Sequence, residues 1–244
     1  MGLVLKHFDK TGGVQITSKS WADAYAGAAQ TAEKFFVQNI GDRVSLALAL
    51  ALVQSGSNDG NTMMRVAMDT ATVLPPYGLS AVVGAAGGGG VWGVTGTYGY
   101  VVTAYNGLGK TQPCLELSVN VDTTTKKVTL SWQQSANASG YYVYRTPSPG
   151  TYGATTKRAT VNGASNVTYI DDGSACGAGT PATANTTAGS APNYGTVPTL
   201  GNGPLSVGVL AIGQWACYWA NRVIPSGTGD DGNPRQSLRR FTES

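Results

Sequence analysis

His7 is the only histidine in this chain of 244 residues. A Ser-His-Asp or Cys-His device would have to use it, yet it lies in an N-terminal arm thin in apolar residues, where a surface histidine is the simpler reading. Zinc sites draw on several Cys and His ligands, and the chain offers one histidine and three dispersed cysteines, Cys114, Cys176 and Cys217. Their odd number and lack of metal spacing point to free thiols in a reducing compartment. Two acidic pairs, Asp171-Asp172 and Asp230-Asp231, are each followed by glycine. Such pairs can ligate calcium together with nearby carbonyls, but neither follows the EF-hand spacing, so both read as polar turns. Glu116 and Asp122 can be drawn as a glycosidase pair, although with 13 acidic residues such pairings arise freely. The glycine run Gly84–Gly90 is no phosphate loop, because no Gly-Lys-Ser/Thr follows it. No catalytic set, cofactor or metal is therefore expected.

The aromatic residues carry the remaining candidates. Tyr141, Tyr142 and Tyr144 alternate on one run, so part of this set faces outward, where a tyrosine anchors a partner protein or stacks on a sugar. The alternative is a cross-strand aromatic pair. Trp92, Trp215 and Trp219 are candidates for a subunit interface, with a domain core as the alternative. Trp132 belongs in a core. Trp92, Tyr142, Trp215 and Trp219 thus form the candidate interface set.

The elements that must position these residues read as strands. Tyr98, Tyr100, Val102 and Ala104 alternate, as do Val128, Leu130 and Trp132, which places one face of each run in a core. Turn signals at Asn106-Gly107, Ser135–Gly140, Pro147–Gly150 and Asn162-Gly163 separate short strands across Val94–Asp172, the pattern of a β-sandwich. Upstream, the leucines at 46, 48, 50 and 52 keep a strict period of two. Pattern argues for a strand over Val44–Gln54 although leucine and alanine favour helix. Val14–Thr17 reads as a first strand. Trp21–Phe36 shows helical spacing, with a strand at Glu33–Val37 as its competitor. Met63–Asp69 and Leu79–Val83 read as further strands, and Gly227–Ser244 as a polar tail.

Composition narrows the classes. Charged residues make up 12% and glycine contributes 34 positions, a balance typical of β-rich assembly proteins rather than of disorder. The net charge of +3 is scattered, apart from Arg235, Arg239 and Arg240, so no nucleic-acid footprint is expected. Val44–Val53 is too short to span a bilayer, and Met1–Lys6 opens without a signal peptide's long apolar region.

The apolar stretch Val207–Ile224 cannot stand alone in water. Its economical solution is to return to the strands of the first part of the chain, around an insertion. The expected fold is all-β. Residues 1–90 plus 203–244 form a discontinuous β-sandwich domain, 91–185 form an inserted sandwich, and 186–202 form an extended linker.

The middle module resembles the fibronectin type III and immunoglobulin-like superfamily. Tyr98–Gly109 looks like the penultimate strand and turn of such a repeat. Val128-Thr-Leu-Ser-Trp132 looks like its tryptophan-bearing second strand, and Gly140–Arg145 like its third. The order is rearranged, since the penultimate strand comes first. Modules of this kind, with a threonine- and glycine-rich linker and a surrounding β domain, resemble virion structural proteins of tailed bacteriophages. Val66–Asp69, Pro75-Pro76 and Trp215–Pro225 add to that likeness. The resemblance implies a non-enzymatic protein made in the host cytoplasm and built into the virion. Its partners would be other virion proteins and symmetry-related copies, at the tail, baseplate or neck. Capsid decoration and a carbohydrate-binding host-attachment module are the alternatives.

Overall fold

A computed structural model describes residues 4–9, 12–16, 19–20, 32–45, 48–55, 63–84, 92, 95–122, 124–125, 127–188, 201–202, 205–223 and 236–243. All elements among them are strands. They are β1 (Leu5–Phe8), β2 (Lys19–Ser20), β3 (Glu33–Asn39), β4 (Leu48–Ser55), β5 (Met63–Met68), β6 (Tyr77–Gly84), β7 (Gly96–Tyr105) and β8 (Leu117–Val121). β9 (Lys127–Gln133), β10 (Gly140–Thr146), β11 (Lys157–Asn162), β12 (Thr168–Asp171), β13 (Gly201–Asn202), β14 (Leu205–Gly208), β15 (Trp215–Val223) and β16 (Gln236–Glu243) follow. The chain divides into two compact units, residues 1–70 with 190–244, and residues 71–189.

In the first unit, two antiparallel sheets run in the orders β1-β3-β15-β5-β13 and β14-β4-β16-β2. The strands β3 and β15 are buried almost throughout, as strands flanked on both edges and covered on both faces must be. Phe35 stacks on Tyr218 at 5.7 Å between ring centroids, and Trp215 lies 4.7 Å from Phe8 and 6.4 Å from Phe36. Glu33–Asn39 is a strand, so the helical spacing noted over Trp21–Phe36 does not extend to its end; residues 21–31 lie outside the described set. Leu48–Ser55 is a strand too, its alternation prevailing over the helix propensity of leucine and alanine, because β16 pairs along its whole length.

Three expectations are corrected here. Among the described residues the first strand is Leu5–Phe8 rather than Val14–Thr17, whose described part, Val14–Ile16, contributes a bridge from Gln15 to Phe8. The polar tail contains β16, an eight-residue strand. Backbone pairing asks for no apolar side chains, so its charge hid it. The end of the first domain at residue 90 also moves. β6 pairs with β9, from Tyr77 opposite Gln133 to Gly84 opposite Lys127, and so belongs to the second unit.

In the second unit, sheets ordered β11-β10-β7-β8 and β12-β9-β6 share one core. Tyr98, Tyr100, Val102 and Ala104 from β7 meet Val128, Leu130 and Trp132 from β9, with Tyr141 and Val143 from β10 and Val119 and Val121 from β8. The positions from β7 and β9 are the alternating ones the sequence singles out, although on β7 the intervening Gly99, Val101 and Thr103 are buried as well. After β12 the chain does not leave as a linker. Residues 173–188 run back along the sandwich as a strap. The amide of Gly177 donates to Lys157 O at 2.8 Å, Thr156 to Gly179 O at 3.2 Å, and Thr186 to Lys110 O at 3.0 Å. At its end Asn185 Nδ2 donates to Val73 O at 2.8 Å and Thr187 Oγ1 to the same carbonyl at 3.3 Å. A linker beginning at 186 is thus corrected for residues 186–188, where Thr187 is buried; residues 189–200 lie outside the described set.

Candidate functional site

The most connected polar cluster lies at one end of the second unit's core. Arg145 on β10 points inward and places Nη1 2.9 Å from both oxygens of Asp171, which ends β12. Asp171 is wholly buried and also accepts from Arg158 Nε at 2.7 Å, Tyr100 Oη at 2.9 Å and Gly173 N at 3.0 Å. Arg158 reaches Asp172 as well. The Arg145 guanidinium packs on the rings of Trp92 and Tyr98, 4.9 and 5.5 Å from their centroids. Its Nη2 donates to Ser174 O at 2.7 Å. Gly173 must be glycine: its φ is +85°, and an added Cβ would lie 2.9 Å from the Trp92 ring. Burial, followed by the Asp171 carboxylate beside it, raises the Tyr100 hydroxyl pKa. Backbone and side-chain hydrogen bonds from Ser174, with Arg158 alongside, hold Asp172 down at about 2. Asp171-Asp172 is therefore more than a polar turn. Arginines occupy the positions a calcium ion would take, and the cluster ties β7, β10, β11 and β12 together across both sheets.

A second buried pair sits in the first unit. Lys34 on β3 reaches past β15 to Asp69 at 2.7 Å, with its ammonium 4.9 Å from the Trp219 ring centroid. Cys217 Sγ donates to Asp69 Oδ2 at 3.8 Å. Burial pushes the Cys217 thiol well above its ordinary range, and the Asp69 carboxylate adds to this. Burial likewise pushes Cys114 up to about 12, and Cys176, half-buried, is raised for the same reason. Thiolate is the reactive form. We therefore expect the native protein to titrate at most one thiol with Ellman's reagent at pH 8, slowly and at Cys176, against three in guanidinium. Rapid native modification of Cys114 or Cys217, located by peptide mapping, would contradict the packing described.

The other sequence candidates separate. Glu116 accepts from Tyr152 Oη at 2.6 Å and from Gly150 N at 2.9 Å, whereas Asp122 closes a turn on Thr124 and Thr125. They flank β8 and stand roughly 20 Å apart along an extended strand, too far for a glycosidase pair. His7 is half-buried on β1. Among the described residues no group of three or more His, Cys, Asp or Glu is placed to hold a metal.

Of the candidate interface residues, Trp215 and Trp219 are 5% and 2% exposed and belong to the first unit's interior. Trp92 is half-buried on the Arg145 cluster. Tyr142 is half-buried on the outer face of β10, stacked on Tyr105 with centroids 4.5 Å apart. The cross-strand aromatic pair is thus present and both rings are partly exposed, while Val101, Thr103 and Tyr144 on the same side of the sheet are buried.

That face includes two residues the sequence did not single out. The rows across the sheet are Tyr105–Gly140–Asn162, Thr103–Tyr142–Thr160 and Val101–Tyr144–Lys157. Lys157 Nζ stands 4.1 Å from the Tyr142 centroid. Lys110, bridged to Tyr105 from the other side, brings its Nζ 5.9 Å from the Tyr144 centroid. Among the described residues neither lysine has a carboxylate within ion-pair distance, unlike Lys34, Arg145 and Arg158. Only register brings the two lysines to one face, and register is not written in a local sequence pattern.

Comparison with known proteins adds no relative: no protein-family model, no curated protein and no solved structure matches the chain.

Proposed function

We propose that this chain is a non-enzymatic structural component of a tailed-phage virion, at the tail, baseplate or neck, with a fibronectin type III or immunoglobulin-like module spliced into a docking domain. The observation that carries the reading is the way the second unit is spliced in. Its two chain ends meet where Asn185 and Thr187 bond to Val73 O. Such an insertion leaves a surrounding domain free to fold and dock. Sheet composition supports the immunoglobulin-like assignment. The tryptophan-bearing strand β9 lies in one sheet, while β10 and β7 pair in the other. That is the arrangement of the second strand against the third and penultimate strands in such sandwiches. The charges of Arg145, Arg158 and Asp171 join strands of both sheets, which suits a part that bears load.

The test is quantitative mass spectrometry of purified virions, with the major capsid protein as internal standard. A few to a few tens of copies per particle supports the tail, baseplate or neck. Hundreds would move the chain to capsid decoration, and absence from purified particles would overturn the reading.

A further inference from the structure

We propose that Lys34 and Asp69 condense inside the folded first unit into an amide that joins their side chains across β15. This is a self-catalysed modification of the chain, and it does not depend on a place in a particle.

Sheet register brings the two groups together. Lys34 is paired with Trp219, and Trp219 with Ala67 on the far side. Two residues along, on the same face, Phe36 is paired with Cys217, whose carbonyl accepts from the Asp69 amide at 2.8 Å. Lys34 therefore crosses β15 on the diagonal, and its Nζ stops 2.7 Å from Asp69 Oδ2. The two side chains are 10% and 4% exposed, and Phe36, Cys217 and Trp219 around them are buried. Among the described residues no other lysine is buried. Nucleophile and electrophile are thus held in contact, away from bulk water, by strands rather than loops.

Lysine sets this pair apart from the Asp171 cluster. A guanidinium keeps its proton, whereas an ammonium can pass one to a carboxylate and become a nucleophilic amine. The Lys34 ammonium gives a proton to Asp69 Oδ2, leaving a neutral amine beside a neutral acid. The amine lone pair attacks Cγ, and the N–C bond forms. A second proton moves from nitrogen to Oδ2, the Cγ–Oδ2 bond breaks, and Oδ2 leaves as water. Nothing is oxidised or reduced. Cys217 Sγ donates to that same oxygen at 3.8 Å, and burial keeps the thiol protonated, so it assists the departure of Oδ2 as an acid. Amine and acid held in contact react at an effective concentration far above that of separate solutes, and exclusion of water disfavours the return reaction. The amide carries no charge, so the cost of keeping two ions out of water disappears with the ion pair.

The experiment is intact-mass spectrometry of the purified, folded full chain after denaturation, with its N-terminus read by peptide mapping. The expected mass lies about 18 Da, one water, below that of the sequence. Trypsin should then release residues 20–43, uncut after Lys34, joined to residues 66–110. Lys34→Arg keeps the opposite charges but cannot condense, so its mass should equal that of its sequence, with near-ultraviolet circular dichroism showing the fold retained. Cys217→Ala should form the link about tenfold more slowly or worse on refolding, the scale of a lost general acid. A folded parent chain at its full sequence mass would overturn the proposal. So would a water loss that persists in Lys34→Arg or yields no joined peptide, which would mark ring closure of Asp69 onto the Thr70 amide instead. Undiminished linkage in Cys217→Ala would overturn the thiol's part in the step.

Discussion

Asp171→Ala will destabilise the second unit by about 3–5 kcal/mol, the cost of breaking a buried ion pair by removing one partner. The carboxylate lies at the centre of the cluster, accepting from Arg145, Arg158, Tyr100 and Gly173. Its loss leaves Arg145 deep in the core without its counter-charge, Arg158 with Asp172 alone, and a buried tyrosine hydroxyl without its acceptor. Arg145→Ala should cost less, because Asp171 keeps Arg158, Tyr100 and Gly173, although the contacts with Trp92 and Tyr98 are lost. Arg158→Ala should cost least, since its side chain is the more exposed of the two arginines. Urea unfolding of the full chain, followed by tryptophan fluorescence, gives the ranking. An Asp171→Ala variant within about 1 kcal/mol of the parent would mean that water replaces the lost carboxylate, and that the cluster does not hold the sheets together.

The effect could not be read from the sequence, although part of its setting could. Tyr98, Tyr100 and Val102 alternate against Val128, Leu130 and Trp132, and the structure buries these positions in one core. Period-two patterning survives because it is local and because one face of each strand meets a common interior. Asp171 looked like half of a polar turn because its partners lie 71, 26 and 13 residues away in the chain. The lysine–tyrosine face was hidden in the same way. Tyr142 stood out by type, but Lys110 and Lys157 acquire meaning only when β7, β10 and β11 come into register. The strand β16 was invisible for a different reason. Its sequence, Gln-Ser-Leu-Arg-Arg-Phe-Thr-Glu, has no clean alternation, and β4 recruits it through the backbone. The strap 173–188 is rich in Gly, Thr and Ala, a composition shared by linkers and by segments tied down through carbonyls and amides.

Backbone recruitment governs what happens when the chain is cut. Residues 71–189 expressed alone should fold with a single cooperative transition, since they hold their own core and join their own ends. Joining residue 70 to residue 190 should leave a second protein that also folds. Residues 1–70 alone should not. In one sheet β15 lies between β3 and β5, and in the other β16 lies between β4 and β2. Removing the C-terminal part takes the middle strand from each sheet. What remains is the β1–β3 pair with β2, β4 and β5 stripped of their neighbours, and isolated pairs are marginal in water. Proton–nitrogen correlation spectra of the three fragments separate the outcomes. Dispersed spectra for 71–189 and for the rejoined protein, with a collapsed spectrum for 1–70, are expected. A dispersed spectrum from 1–70 would show that the late strands decorate a finished domain, and a collapsed one from 71–189 would show that the sandwich depends on the rest of the chain. Because β15 and β16 lie inside their sheets and follow the whole second unit in the chain, the first unit cannot close until β16 has left the ribosome, by which time every strand of the sandwich has been made. Folding order is thereby set by topology.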